Sequence, residues 1–169
     1  LVLDAEAVIA APEGERRMPL RDFFVDRGRT ALRVGELLRE IYLPLRQARS
    51  GSAYVRHIPR AAMDISVVGV AAALGLDDAG RIMHPRLALG AVAPTPIRVP
   101  TAEGVIDGQE PSQELFTAAA ELAAAAAHPV SDVRASAEFR RHLVRVLVER
   151  ALPEALARPI SETTDGSKG

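Results

Sequence analysis

A chain of 169 residues, 48% hydrophobic and 25% charged with a formal net charge of −1, has the make-up of one ordinary globular domain, or of a small domain with part of another. That balance argues against a disordered chain or a nucleic-acid binder, and no apolar run approaches the roughly 20 residues of a membrane span. Zero cysteine excludes disulfides, a cysteine nucleophile and any cysteine-ligated iron–sulfur or zinc site within the chain, which fits a cytoplasmic protein.

The first residues, 1–10, alternate as a strand with Leu3, Ala5, Ala7 and Ile9 on one face. A chain that opens without methionine on a strand is expected to be a piece of something longer. Pro12-Glu13-Gly14-Glu15 turns the strand, and residues 16–20 are expected to pair back onto it. Arg21-Asp22-Phe23-Phe24 reads as a short turn of helix anchored by its two aromatics, and residues 28–30 read as loop. Residues 39–43 form a further strand that stops at Pro44, and the polar stretch 46–52 is the best boundary between subdomains.

Three strands follow, over 53–57, 65–76 and 81–93, with the turn signal Asp77-Asp78-Ala79-Gly80 between the last two. The second strand places Val68, Val70, Ala72 and Leu74 on one face and Gly69, Ala71, Ala73 and Gly75 on the other. A short loop centred on Asp78-Ala79 would set Gly69 opposite Ala88 and Val67 opposite Gly90. The hairpin then has one bulky and one nearly flat face. The flat face suits close approach by helices, and the plainer alternative is a half-buried hairpin with glycine for twist.

Residues 101–106 read as a short helix closed by Gly108, and 112–127 as an alanine-rich helix with Leu115, Ala118, Ala119, Leu122, Ala123 and Ala126 on its apolar side. Ser136 is the expected N-cap of a last helix. Its inward stripe reads Phe139, Leu143, Val146, Leu147 and Ala151, with Arg140, Arg141, Arg145 and Glu149 facing out. That basic face is either solvated or a docking surface. Residues 159–169 form a polar tail expected to be disordered. The architecture is α+β: a partial mixed α/β subdomain, then a three-stranded antiparallel sheet packed against a three-helix layer.

Little of this sequence speaks for nucleophilic or metal chemistry. His57, His84, His128 and His142 are scattered, none at ligand spacing with another, and no G-x-S-x-G, P-loop or G-x-G-x-x-G occurs. Arg56 and Arg60 stand at the edge of the core sheet, where a guanidinium can fork onto a phosphate or a polar ring edge, or simply pair with a surface carboxylate.

At these residues the chain resembles a known family. The matching segments are Leu3-Asp4-Ala5, Pro19-Leu20-Arg21-Asp22-Phe23-Phe24, and Glu36-Leu37-Leu38 with Ile41 and Leu43-Pro44. They continue with Ala53-Tyr54-Val55-Arg56, Arg60, Met63-Asp64-Ile65 and Leu89-Gly90-Ala91-Val92-Ala93-Pro94-Thr95-Pro96. The last are Ser131-Asp132-Val133-Arg134-Ala135-Ser136 and Phe139-Arg140-Arg141. In this order they resemble the carboxy-terminal half of the flavin-binding medium subunit of molybdenum hydroxylases, the group of xanthine dehydrogenase and aerobic carbon monoxide dehydrogenase.

The resemblance implies an oxidoreductase component. A large subunit carries the molybdenum cofactor, a small subunit carries iron–sulfur clusters, and FAD on this subunit passes electrons to a final acceptor. It implies that 1–48 is the end of the FAD-binding subdomain and 49–158 the flavoprotein carboxy-terminal domain. Two family contact positions fall on Leu38 and Arg56, the latter usually lysine, and Tyr54, Arg60, Asp64 and Ile65 are expected near the flavin. A cation beside the flavin ring would stabilise negative charge on it. The family's glycine-rich loops for the FAD diphosphate have no counterpart here, so the chain alone is expected to hold FAD weakly or not at all. The competing reading is a flavin-free module that docks partner subunits; a stand-alone hydrolase lacks any nucleophile–base pattern.

Overall fold

A computed structural model describes residues 1–45, 49–58 and 65–157. The first unit is a sheet of order β2-β1-β5, built from β1 (Glu6–Ala11), β2 (Gly14–Pro19) and β5 (Leu37–Tyr42). Between β2 and β5 lie the one-turn helix α1 (Leu20–Phe23) and a small hairpin, β3 (Phe24–Asp26) and β4 (Arg29–Thr30). Ala7, Ile9 and Phe23 form its buried centre, on the expected face of the first strand, and Val8 between them is buried as well. The strand begins later than expected, at Glu6, because Asp4 takes a left-handed φ of +48° and closes a turn onto the Leu1 carbonyl. Arg29 and Thr30, expected as loop, pair back onto β3. Glu36 secures the unit: it accepts Arg16 Nε at 2.8 Å, Arg16 Nη2 at 2.7 Å and the Arg33 backbone N–H at 2.7 Å.

The second unit is an antiparallel sheet of order β6-β7-β8-β9. Its long strands are β6 (Ser50–His57), β7 (Val68–Leu76) and β8 (Ile82–Gly90), and the two-residue β9 (Ile97–Arg98) adds to the β8 edge. The β7–β8 turn closes by Gly80 N–H to the Asp77 carbonyl at 3.1 Å, with Gly80 at φ +80°, a conformation that favours glycine. The pairing differs from the expected one by two residues: Gly69 faces Gly90 and Ala71 faces Ala88. A shift of two leaves the side chains from Arg86 to Gly90 on their expected faces. Near its start β8 carries one extra residue against β7, since Ala73 pairs with Arg86 but Gly75 with Met83. Within this bulge His84 has φ +51° and Pro85 has no N–H to offer the ladder.

Helices α2 (Pro100–Ile106), α3 (Gln113–Ala126) and α4 (Ala137–Leu156) form a layer on one face of this sheet. Helix α4 lies on β6 and β7, α2 lies on β8, and α3 packs between α2 and α4. The face they cover is the bulky one: Val68, Val70, Ala72, Leu74, Leu87 and Leu89 are buried in the common core. This overturns the expectation that the helices roof the flat face. The reason is energetic. Burying a valine or leucine side chain contributes about 1.5–3 kcal/mol, whereas glycine brings no side chain to bury.

The alanines of α3 serve that same core and the neighbouring helices. Its buried residues are Phe116, Ala119, Ala120, Ala123 and Ala124, so the stripe is rotated about one residue from the expected one and Leu122 is exposed. Ser112 caps α3, its hydroxyl accepting Leu115 N–H at 3.1 Å, and Ser136 caps α4 through Phe139 N–H, also at 3.1 Å. In α4 the inward stripe is Arg140, Leu143, Val144, Leu147, Val148, Ala151, Leu152 and Ala155. Phe139 is exposed and Arg140 is buried, the reverse of the expectation. The tail at 159–169 lies outside the described residues.

Candidate functional site

With the helices on the bulky face, the flat face of the second sheet is left without them. Strand register lays it out in rows. Arg56, Gly69 and Gly90 share one row; Tyr54, Ala71 and Ala88 share the next; Ser52, Ala73 and Arg86 share the third. Strand β6 is the sheet edge, and its alternation puts Gly51 and Ala53 in the core while Tyr54 and Arg56 stand on the flat side, exposed. Tyr54 is 62% exposed, and its ring leans across the sheet over Gly69. A Cβ at Gly69 would stand 2.8 Å from the Tyr54 hydroxyl oxygen, too close for any residue but glycine unless the ring moves. No carboxylate among the described residues pairs with Arg56. An aromatic face, an unneutralised guanidinium and a floor of glycine and alanine therefore meet at one end of the flat face.

The other end of the flat face is covered by the first unit. Asp4 accepts from Arg86 Nε at 3.2 Å and lies 3.5 Å from Arg98. A cleft of about 380 Å³ runs between Leu3, Pro44 and Leu45 on one side and Ala73, Gly75 and Met83 on the other. Arg98 is locked from behind by Glu103, which is buried and also accepts the Leu87 N–H at 2.9 Å.

Of the residues singled out in the sequence, Tyr54 and Arg56 come together on this face. Leu38 is on β5 of the other sheet, opposite Ile9 and partly exposed. Ile65 is exposed, two residues before Val67, whose N–H donates to the His57 carbonyl at 2.9 Å. Arg60 and Asp64 lie outside the described residues.

Two residues were not foreseen. Arg140 reaches from α4 to the strand ends beside Arg56, with Nη1 donating to the Val67 carbonyl at 2.6 Å and the Ala91 carbonyl at 3.2 Å. Asp132 holds the other side of that guanidinium at 2.8 Å. The Arg134 backbone N–H, and then Arg140, hold the Asp132 carboxyl below its ordinary value. A signal existed for Arg140, since residues 140, 143, 144, 147 and 151 fall on one helical stripe. Among the described residues no group of three histidine, aspartate or glutamate side chains is placed to hold a metal ion, and no helix is long and apolar enough to cross a membrane.

Comparison with known proteins places the chain. The chain is 35% identical over 158 residues to the xanthine dehydrogenase FAD-binding subunit of Escherichia coli O157:H7, covering 93% of this chain and 54% of that one. It is 34% identical over 158 residues to the nicotine 6-hydroxylase medium subunit of Paenarthrobacter nicotinovorans, covering 94% and 54%. Among solved structures, carbon monoxide dehydrogenase from Hydrogenophaga pseudoflava matches with a TM-score of 0.88 and 32% identity, over 94% of this chain and 54% of that one. The chain thus spans about half the length of the relatives it matches. Residues 1–46 match the FAD binding domain in molybdopterin dehydrogenase. Residues 53–155 match the CO dehydrogenase flavoprotein C-terminal domain, and the chain belongs to that family.

Proposed function

We propose that this chain is the carboxy-terminal part of the FAD-binding subunit of a molybdenum hydroxylase. Residues 1–48 are the end of its FAD-binding subdomain and 49–158 its flavoprotein carboxy-terminal domain. Its partners are a large subunit carrying the molybdenum cofactor and a small subunit carrying iron–sulfur clusters, in the cytoplasm. FAD, when bound, accepts electrons from those clusters and passes them to a final acceptor. The observation that carries this reading is the exposed end of the flat face, where Tyr54 and Arg56, the latter unpaired among the described residues, stand beside Gly69, Ala71 and Gly90.

The residues there fit a flavin. A planar, polar-edged ring needs a level surface, an aromatic neighbour and donors at its rim. Gly90, half-buried, leaves the backbone open to a close ring, beside Gly69, which the Tyr54 ring already covers. Tyr54 presents an aromatic face already held low over β7. Arg56 offers several N–H donors and a permanent positive charge, which orients a ring edge and stabilises negative charge on it. Leu38, Arg60, Asp64 and Ile65 complete the set of residues assigned to the flavin surroundings.

In the complete flavoprotein, Arg56→Ala should shift the flavin absorption bands and slow flavin reoxidation. A flavin spectrum and reoxidation rate that ignore the change would leave this domain as a flavin-free module for docking partner subunits.

A further inference from the structure

Arg140 is only 5% exposed, on the sheet-facing side of α4. A buried guanidinium is costly unless paired and hydrogen-bonded, and a leucine there would cover the sheet without that cost. Its bonds are aimed at two particular places. Val67, whose carbonyl it holds, stands just before β7; Ala91, whose carbonyl it also holds, stands just after β8. The group that orients the guanidinium, Asp132, is fixed in turn, its Oδ1 accepting Arg134 N–H at 2.9 Å and Ala135 N–H at 3.1 Å.

Both strand ends bear on Arg56. Val67 N–H donates to the carbonyl of His57, the residue after Arg56. Gly69, two residues on, pairs with Arg56 on one side and Gly90 on the other. Ala91 has φ +63°, a left-handed conformation that a residue with a Cβ keeps only where its surroundings hold it. The His57 ring meets Phe139, the neighbour of Arg140, edge-on at 6.1 Å.

We infer that Arg140, oriented by Asp132, is a positioning residue: it fixes the ends of β7 and β8 against each other and, through the Val67–His57 bond, the placement of Arg56 on the open face. The inference rests on the reading of that face as flavin-facing. Arg140 acts from the opposite side of the sheet, through the backbone.

Two measurements test it. In the full chain, Arg140→Met should speed amide exchange at Val67, Gly69 and Gly90 about tenfold while leaving Ala72 and Leu74 in mid-strand unchanged. Asp132→Asn, which keeps the side-chain shape, should do the same more weakly and serves if the methionine variant does not fold. Exchange that rises equally along β7, or nowhere, overturns the inference. In the complete flavoprotein, Arg140→Met and Asp132→Asn should move the flavin absorption bands in the direction of Arg56→Ala, and Arg140→Lys should recover part of the shift. A shift from Arg56→Ala with none from either of the other two also overturns it. If Arg56→Ala is itself silent, the flavin-facing reading fails, and the exchange measurement alone decides the role of Arg140.

Discussion

The two faces of the β6–β9 sheet are made by the same strands and end in opposite roles. On one, Val68, Val70, Leu74, Leu87 and Leu89 disappear under three helices. On the other, the same strands show Gly69, Ala71, Ala73, Ala88 and Gly90, with Tyr54 and Arg56 standing exposed at the margin. Helices go where they remove the most apolar surface from water, so large side chains win them and the small-residue face goes without helices. A flat face then becomes useful for something thinner than a helix. Its far end takes the first unit through Asp4 and Arg86, and its near end carries Tyr54 and Arg56, both exposed.

The contrast is sharpest in stability. Leu89→Ala, on the covered face and 1% exposed, should cost about 2–5 kcal/mol, read as a lower urea midpoint at unchanged slope. A loss under about 1 kcal/mol would mean the helices do not depend on that face.

Acid should loosen the unit that covers the far end. Arg16 and then the Arg33 backbone N–H lower the Glu36 pKa from its ordinary 4.5 to about 2. Its folded-state value is depressed, so its stabilising contribution is whole above pH 4.5 and is lost as pH falls towards about 2. In an acid titration followed by circular dichroism, Glu36→Gln should flatten the pH dependence in that window. An identical profile for the variant would remove Glu36 from the account.

On the flat face, Gly69→Ala should cost less than about 1 kcal/mol, because what must yield is the far end of the Tyr54 side chain and not backbone. Its mark should be the Tyr54 ring resonances, displaced while the core is unchanged; an unmoved ring would contradict the close contact. Asp4→Asn, which keeps a residue suited to the left-handed φ, removes half-exposed ion pairs with Arg86 and Arg98 and should cost about 0.2–1 kcal/mol, with the loss shrinking at high salt. The smallest signal belongs to FAD itself. Titrated into the chain alone, it should show no tight stoichiometric binding, and a sharp one-to-one endpoint would refute that.

Alternation made the strands legible, because a period of two is hard to produce otherwise. It also separated the bulky from the flat face correctly. Period alone does not say which face is covered, but the size of Val68, Val70, Leu74, Leu87 and Leu89 does, and the expectation went wrong by weighing close approach above buried apolar area. Arg56 was legible as a residue of the sheet edge, read together with Arg60, whereas Tyr54 came only from the family resemblance. Arg140 was misread because a charged residue in a helix defaults to solvent. Its bonds to Val67 and Ala91 span 73 and 49 residues of sequence, and only its place on the apolar stripe betrayed it.

The extra residue in β8 has a consequence for how the strand tolerates change in length. In a regular strand Ile82 would share a side with His84, Arg86 and Ala88; instead it is buried with Leu87 and Leu89. The two halves of β8 are therefore out of phase, and His84-Pro85 is the joint that reconciles them. Deleting His84 should do more harm than mutating it. Any substitution keeps the count, but a deletion restores simple alternation and turns either Ile82 or the leucine pair towards water.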